Sequence, residues 1–481
     1  MKHSRHVWTI MIAALAVVGP MPASAQSDGP AGRWAGTLVA GPQQIEIVFN
    51  IEQGEDGSLS GTMDVPTQGA TGIPLTTVTF EDGVLSMSFP VPGGGTYEGT
   101  VEGDAVSGTF TQGGQPFPMD LERGEGGEPP LLRPQEPSAP FPYTVEEVRF
   151  ANDAAGIELA GTLTLPEGSG PFPAAVLVSG SGPQDRDEAL AGHKPFLVVA
   201  DHLTRHGIAV LRYDDRGVAE STGDFSAATT EDFADDALAA IRFLTNDDRI
   251  DGAAMGIVGH SEGGLVGPMA ASRSESVDYV VMLAGPGVTG LEVLMEQGRL
   301  INEAGGAAQG MADFNARLQQ RLAEVTLRTE DRGAAAQEMR DVIREEVAAL
   351  PSDLRSIIDG AMADGGMDQT VTQMNSTWFR FFLHYDPRPA LEATTVPVLA
   401  LFGGKDLQVP PAQSAAEVEA AFQRGGNTNV TIETLAGLNH LFQEATTGSP
   451  AEYQTIEETF NPRALDAMSS WINQHFGRPM S

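Results

Sequence analysis

The sequence predicts an α/β protein with a mostly parallel sheet, helices on both faces and a helical cap, preceded by a small antiparallel β-rich domain. Three observations lead to this prediction. From residue 143 onwards, short apolar runs alternate with helical segments, as in βαβ units. Residues 288–388 interrupt that alternation with helices alone, which predicts an inserted cap. Before residue 124, short strands recur between Gly-rich turns, as in an antiparallel meander closed into a barrel or sandwich.

The first 25 residues have the features of a secretory signal peptide. Lys2 and Arg5 supply positive charge, residues 7–18 form a short apolar run, and an Ala-Ser-Ala cleavage site ends at Ala25. We therefore expect cleavage after Ala25 and export to the periplasm or beyond. The apolar run is short for a membrane span and no second one follows, so stable membrane insertion is not expected, with an uncleaved anchor as the alternative.

Residues 26–124 predict the β-rich domain, and residues 125–142, rich in Pro, Gly and Glu, predict an extended linker. Repeated Gly-Thr pairs indicate points where strands bend or pack closely. One interpretation makes this domain a binding module with exposed aromatics such as Trp34 or Tyr97. We favour the other, in which these aromatics form the domain's own core. The predicted strands are 34–38, 44–51, 59–63, 76–80, 85–89, 97–101 and 106–110.

Residues 143–481 predict the α/β domain, with two antiparallel edge strands followed by parallel strands and their connecting helices. Within the cap, apolar residues at helical spacing predict helices around 314–325 and 339–350, the second stopped by Pro351. The predicted strands are 147–150, 158–165, 174–178, 208–213, 255–258, 279–283, 396–402 and 431–435, and the predicted flanking helices are 195–206, 230–244, 262–272 and 464–476.

The segment 259–264, Gly-His-Ser-Glu-Gly-Gly, has the pattern of a nucleophile elbow centred on Ser261. An apolar strand runs into a turn that accepts only small residues at positions 259 and 263, and a helix follows at once. This geometry exposes one hydroxyl above the sheet beside a helix N-terminus, where negative charge is stabilised. The motif alone is weak in a chain with 56 Gly, so the neighbouring residues must support it.

Two further candidates follow Ser261 in the order that α/β-hydrolases require. Asp406 comes after the strand 396–402, and His440 comes after the strand 431–435. Both therefore lie past the carboxyl ends of strands, where open α/β sheets bind ligands. In this interpretation Ser261 attacks a carbonyl carbon, His440 acts as general base and acid, and Asp406 orients the imidazole.

Alternatives to these partners remain open at this point. Asp386 is the other candidate acid, although it precedes a Pro and follows no clear strand. His193 and His384 are the other candidate bases. His475 also follows Asp406, but it falls in the terminal amphipathic helix, where a packing position is expected.

The oxyanion hole is expected to use the backbone amides of Glu262 and Ser181, with Gly182 as the alternative to Ser181. In the same loop, Gln184 and Arg186 are candidates to bind the leaving group. In the cap, the aromatic run 378–382 is a candidate pocket wall, with Trp378 and Phe381 as candidate substrate contacts.

Arg186 has a second interpretation, a structural ion pair with Asp185 or Asp187. The segment 214–216, Asp-Asp-Arg, directly follows a strand. For it we favour structural ion pairing that braces the loop near Ser261 over direct chemistry.

Taken together, four stretches resemble bacterial α/β-hydrolases of the EstD esterase type, a group often placed beside the serine aminopeptidases. The resemblance covers roughly residues 143–480. It implies carboxylic ester hydrolysis without metal or organic cofactor, with Ser261, Asp406 and His440 as catalytic positions, and it leaves the natural substrate open. The four stretches are 180–187 (GSGPQDRD), 212–217 (RYDDRG), 259–264 (GHSEGG) and 437–442 (GLNHLF).

Composition excludes several function classes. The chain has no Cys, which rules out thiol catalysis, thiolate metal sites and disulfides. Its net charge of −37 disfavours nucleic acid and anionic lipid as partners. The sequence contains no H-E-x-x-H segment and no close His cluster, so zinc-dependent hydrolysis is not expected.

The expected function is therefore an exported serine hydrolase that acts on small-molecule carboxylic esters through an acyl-enzyme. One alternative is a serine aminopeptidase with the same three residues. Another is a non-catalytic exported binding protein that uses the β-rich domain. The oligomeric state stays open.

Overall fold

The chain has 481 residues and divides into two compact units, residues 1–132 and 133–481. The predicted signal peptide, residues 1–25, lies outside the described residues, and so do residues 125–132 of the predicted linker. The computed structural model describes residues 29–40, 43–54, 57–65, 70–90, 94–112, 115–124, 133–352, 354–355, 358 and 366–477.

The first unit contains one antiparallel sheet, as the turn-rich alternating pattern predicts. Its strands follow the order β4-β3-β2-β1-β10-β8-β7-β6-β5, and β9 pairs with β8. All seven predicted strands are present, and three short ones are added. The strands are β1 (Gly32–Ala40), β2 (Gln43–Gln53), β3 (Leu59–Val65), β4 (Ala70–Pro74), β5 (Thr77–Glu81), β6 (Val84–Phe89), β7 (Gly95–Glu102), β8 (Ala105–Gln112), β9 (Gln115–Pro118) and β10 (Leu121–Arg123).

The aromatic residues of this unit form its own core. Trp34 is fully buried, its indole N–H donates to the Pro30 carbonyl over 2.8 Å, and the Arg123 guanidinium lies 4.1 Å from its ring centre. Tyr97 is also buried, and its hydroxyl donates to the Met119 carbonyl over 3.0 Å. Neither ring is exposed for binding, which agrees with the interpretation that these aromatics form the core of the domain.

The Gly-Thr pairs mark close packing, as their sequence predicts. At Gly108, a Cβ would overlap the Tyr97 ring, and at Gly61 it would overlap the Asn50 carbonyl on the neighbouring strand. A larger residue at either position would have to displace backbone or a core aromatic.

The end of the predicted linker belongs to the second unit. Residues 133–142 lie within that unit. Arg133 donates to the Ile456 carbonyl over 2.5 Å, and Gln135 donates to the Phe460 carbonyl over 2.6 Å and accepts from the Thr459 amide. These side chains bind the backbone of a loop that is distant in sequence. Residues 133–142 are therefore packed on the second unit, although their Pro-rich composition predicted an extended linker.

The second unit contains an eight-stranded sheet in the order β11-β12-β14-β13-β15-β16-β17-β18. The pairs β11–β12 and β12–β14 are antiparallel, and the remaining pairs are parallel. Strands β13 to β17 are almost entirely buried, because helices cover both faces of the sheet. The strands are β11 (Thr144–Asn152), β12 (Ile157–Leu165), β13 (Phe172–Val178), β14 (Ala209–Tyr213), β15 (Ile250–His260), β16 (Tyr279–Leu283), β17 (Val398–Gly403) and β18 (Val430–Leu435).

Helices connect the parallel strands, and the cap is inserted between β16 and β17. No helix among the described residues is long and apolar enough to cross a membrane. Helices of the core are Pro195–Arg205, Thr230–Thr245, Gly263–Ala271, Pro411–Arg424 and Pro462–Phe476, with 3₁₀ turns at Phe225–Ala227 and Pro450–Thr455. Helices of the insertion are Gly290–Ala304, Gln309–Arg328, Arg332–Ala348, Gly366–Met374, Thr377–His384 and Arg388–Ala393.

The cap has a hydrophobic core of its own. Phe314, Leu318 and Leu322 from one predicted helix pack with Met339 and Ile343 from the next. The apolar residues at helical spacing thus pack one cap helix against the next.

We expect Trp34→Ala to destabilise the first unit by about 3–5 kcal/mol, because it leaves a large cavity in a small core. Differential scanning calorimetry of the full chain should show one unfolding transition at a lower temperature and the transition of the second unit unchanged. A calorimetric trace identical to that of the unmodified protein would contradict the core assignment.

Candidate active site

Ser261 lies on a turn between β15 and the helix Gly263–Ala271, in a left-handed backbone conformation with φ of 53°. Its amide donates to the Leu283 carbonyl over 2.8 Å, which fixes the turn to the neighbouring strand β16. Gly259 and Gly263 leave no space for side chains, since a Cβ at the first would overlap the Gly263 carbonyl and at the second the Val178 carbonyl. The turn therefore has the strained strand-to-helix geometry of a nucleophile elbow.

The structure brings His440 and Asp406 together. The Nδ1 of His440 lies 2.7 Å from Oδ2 of Asp406, and both side chains are buried. The other oxygen of Asp406 accepts hydrogen bonds from the amides of Gln408 and Val409, at 2.8 and 2.9 Å. The carboxylate is therefore held by backbone on one side and presents its free side to the imidazole.

The loop that carries His440 is tied to the elbow through His260. The Nε2 of His260 lies 3.0 Å from the His440 carbonyl oxygen, and the two imidazole rings are 4.8 Å apart between centres. His260 directly precedes Ser261 in the chain. This bond thus places the backbone of the candidate base beside the candidate nucleophile.

The predicted oxyanion donors lie in two segments that meet at the elbow. The Gly180 amide already donates to Oε1 of Glu188 over 2.7 Å. Across the described part of the chain, neither the Ser181 amide nor the Glu262 amide donates a hydrogen bond. Gly180 also approaches Ser261 closely, because a Cβ built on it would lie 3.2 Å from the Ser261 Cβ. The amide of Gly182, the alternative to Ser181, is likewise unused among the described residues, so unused donors are available next to the candidate nucleophile.

Asp215 fixes the loop that contains Ser181 through two hydrogen bonds. It accepts from the Ser179 hydroxyl over 3.0 Å and from the Gln184 amide over 2.9 Å. Burial raises the pKa of Asp215 well above its usual value, against the effect of these two hydrogen bonds. The bracing role that the sequence analysis favoured for the segment 214–216 fits these contacts.

Arg186 is engaged in structural contacts, which favours its interpretation as part of an ion pair, while its role in leaving-group binding stays a prediction. Its guanidinium makes five hydrogen bonds, two of them to Asp214 at 3.0 and 2.8 Å and the others to Glu147, Thr162 and Glu220. The predicted structural partners, Asp185 and Asp187, are not among them. The true partners come from strands and loops that are distant in sequence, which local spacing does not indicate.

The other predicted substrate contacts differ in their surroundings. Gln184 is half-buried, and its amide nitrogen reaches the Ser181 carbonyl at 3.5 Å. Phe381 stacks on Tyr385 with ring centres 5.3 Å apart and packs against the core of the α/β domain. Trp378 packs against both that core and the cap core.

Trp378 also makes a polar contact that the sequence did not predict. Its indole N–H donates to Oε1 of Glu262 over 2.7 Å, and the Thr230 hydroxyl donates to the same oxygen over 2.6 Å. Burial raises the pKa of Glu262 to about 7, although both hydrogen bonds favour its ionised form. The residue after the candidate nucleophile is thereby joined to the cap.

The alternative acids and bases are used elsewhere. His193 is buried between Tyr453 and Thr459, and burial lowers its pKa to about 4. His384, His475 and Asp386 contact groups in or next to their own helices, at Arg380, Trp471 and Arg388. Among the described residues, no group of three acidic or His side chains is arranged to hold a metal ion.

Two residues of the site were missed by the sequence analysis. Glu188 follows the motif loop 180–187 by one position, and His260 lies inside the elbow motif without an assigned role. Their Oε1 and Nδ1 atoms are 2.8 Å apart in a buried pair. A buried acid cannot be recognised from sequence alone, although its place directly after the motif was a signal.

The sheet order, the antiparallel second strand and the elbow define the second unit as an α/β hydrolase fold. The family model for serine aminopeptidase, S33, matches residues 194–445, and the chain belongs to that family.

Similar proteins include Esterase EstD of Thermotoga maritima, 30% identical over 315 residues. That match covers 65% of this chain, and the chain spans 65% of the relative's length. Similar solved structures include the alpha/beta hydrolase GrgF from Penicillium sp. sh18, with 15% identity, a TM-score of 0.43 and coverage of 70% of this chain and 100% of that one. The Pyrococcus furiosus esterase Pf2001 has 14% identity, a TM-score of 0.38 and coverage of 70% and 94%.

We expect Glu262→Gln to change how stability depends on pH. The folded-state pKa of Glu262 is raised, so the native protein binds this proton more tightly than the unfolded chain, and its contribution to stability is lost as pH rises from about 4.5 to about 7. The Gln carbonyl still accepts from Thr230 and Trp378 but does not titrate. The variant should therefore gain up to about 3 kcal/mol relative to the unmodified protein between pH 4.5 and 8.

Urea unfolding at both pH values measures this difference. A gap between the two proteins that does not change with pH would show that Glu262 titrates at an ordinary value.

Proposed function

We propose that the protein is an exported serine hydrolase that cleaves small-molecule carboxylic esters through an acyl-enzyme intermediate. In this mechanism the Ser261 hydroxyl attacks the ester carbonyl while His440 takes its proton. His440 then returns that proton to the alcohol as it leaves, and Asp406 stabilises the imidazolium formed in between. Water activated by His440 releases the acid in the second half of the reaction.

The observation that carries this proposal is the 2.7 Å hydrogen bond between His440 Nδ1 and Asp406 Oδ2 at the edge of the sheet where the Ser261 elbow lies. Because Nδ1 faces a carboxylate, the proton sits on Nδ1 and the Nε2 lone pair is left to accept a proton from a nucleophile. The amides of Ser181 and Glu262 are the donors for the tetrahedral oxyanion.

The hydrogen bonds of the two buried glutamates at the site favour an ester substrate over the N-terminus of a peptide. An aminopeptidase requires a free carboxylate for the substrate's α-amino group. Here Glu188 accepts from Gly180 and contacts His260, while Glu262 accepts from Thr230 and Trp378. The 30% identity to a protein named as an esterase supports the same choice. The alternative of a binding protein based on the first unit loses support, because Trp34 and Tyr97 are buried.

We expect Ser261→Ala to abolish labelling by a fluorophosphonate probe and to lower ester turnover by at least about 10³-fold, because the nucleophile is removed while the fold is kept. Ser272→Ala, at the far end of the same helix, is the matched control and should label and turn over normally. Ester hydrolysis by Ser261→Ala at the unmodified rate would refute the proposal.

We expect p-nitrophenyl acyl esters to be cleaved with a kcat/KM at least about 10²-fold above that of aminoacyl p-nitroanilides, since Glu188 and Glu262 are already engaged by groups of the protein. Esters of graded acyl length, tested on the purified mature form, would also define the acyl preference. A preference for the anilides, lost together with labelling in Ser261→Ala, would keep the three residues and make the protein an aminopeptidase.

A further inference from the structure

The Glu188–His260 pair is not used by the proposed mechanism, yet it contacts three of its parts. Oε1 of Glu188 accepts from the Gly180 amide over 2.7 Å and lies 2.8 Å from His260 Nδ1. His260 Nε2 in turn lies 3.0 Å from the His440 carbonyl oxygen. One carboxylate oxygen therefore connects the oxyanion loop, the residue before the nucleophile and the backbone of the candidate base.

The hydrogen-bond partners define the charge of His260. A carbonyl oxygen only accepts, so Nε2 must carry a proton to bind the His440 carbonyl. Nδ1 faces a carboxylate, and a second proton there makes the ring an imidazolium. Burial lowers the pKa of His260, but the charge and hydrogen bond of Glu188, with the His440 carbonyl and the charge of Asp406, more than offset this and raise it overall.

The pair is costly for stability. Both side chains are at least nine-tenths buried, and Oε2 of Glu188 has no hydrogen-bond partner among the described residues. Glu188 also adopts a left-handed backbone conformation, with φ of 52°, which a residue with a side chain rarely adopts. Desolvated charge and backbone strain are retained together mainly where geometry serves a site.

We propose that Glu188 is a positioning residue of this site, which acts through His260 to set the His440 backbone and acts directly on Gly180 to set the oxyanion loop. The inference rests on the proposed ester hydrolysis. A neutral imidazole donates through only one nitrogen. Without the Glu188 charge, His260 can therefore donate either to the oxygen at position 188 or to the His440 carbonyl, but not to both.

The test is the kinetics of Glu188→Gln, whose carbonyl can still accept from the Gly180 amide. We expect kcat to fall by about tenfold or more while KM changes less than about threefold, because the substrate still binds but the base is misplaced. Without Glu188, burial lowers the pKa of His260, so the ring should stay neutral and the loss of kcat should persist from pH 8 to pH 6. A merely structural role would lower the melting temperature without this selective loss of kcat over KM.

Asp236→Asn is the matched control. Asp236 is equally buried and is paired with Arg216 over 2.7 Å, without contact to His260. It should lower the melting temperature and leave kcat and its pH profile unchanged.

His260→Gln provides a second variant if Glu188→Gln does not fold. It should lower kcat to a similar extent without recovery at low pH, because Gln does not titrate. In the double variant the two losses should not add, since both residues act through one contact.

The outcomes separate this inference from the proposed function. An inactive Ser261→Ala combined with a Glu188→Gln of unmodified kcat would overturn the positioning role and leave the proposed function intact. Strictly additive losses in the double variant would also overturn it. Turnover by Ser261→Ala would remove the proposed function and this inference together.

Discussion

The site depends on one steric constraint, the absence of space for side chains where β15 enters the helix Gly263–Ala271. Without Cβ atoms at Gly259 and Gly263, strand, helix and the neighbouring strand β13 approach to backbone contact. Ser261 can then occupy a left-handed conformation at the top of the turn, held by its bond to Leu283. A hydroxyl placed this way projects from the edge of the sheet, and the helix N-terminus lies beside it.

Buried carboxyl groups hold the loops around that turn in place. Asp215 and Glu188 bind amides of the loop after β13, and Asp214 binds Arg186 from the same loop. Buried ion pairs contribute little net stability, because desolvation offsets most of their attraction. What they provide is direction: each carboxylate accepts only from donors at defined angles, so the loop has few arrangements that satisfy all of them. The acidic composition thus serves the interior of the site as well as a solvated surface.

One contact between core and cap lies directly beside Ser261. Glu262 is at once the start of the elbow helix, the neighbour of Ser261 and the acceptor for Trp378 of the cap. The hydrogen bond makes cap position and elbow geometry interdependent. Because Glu262 has a pKa of about 7, a proton is bound or released there near neutral pH. Protonation therefore changes the strength of the hydrogen bond between Trp378 and Glu262.

The sequence by itself determined the fold class, the order of the strands along the second unit, and the three candidate residues at strand ends, because periodicity, turn residues and chain order are local properties. Only the tertiary structure decided which charges pair. Arg186 binds Asp214 rather than its neighbours, Glu188 meets His260, and Trp378 meets Glu262. The physical reason is that ion pairs and buried hydrogen bonds join segments far apart in the chain. The packing of the sheet decides which of these segments come into contact, and no local sequence pattern encodes which distant residues will meet.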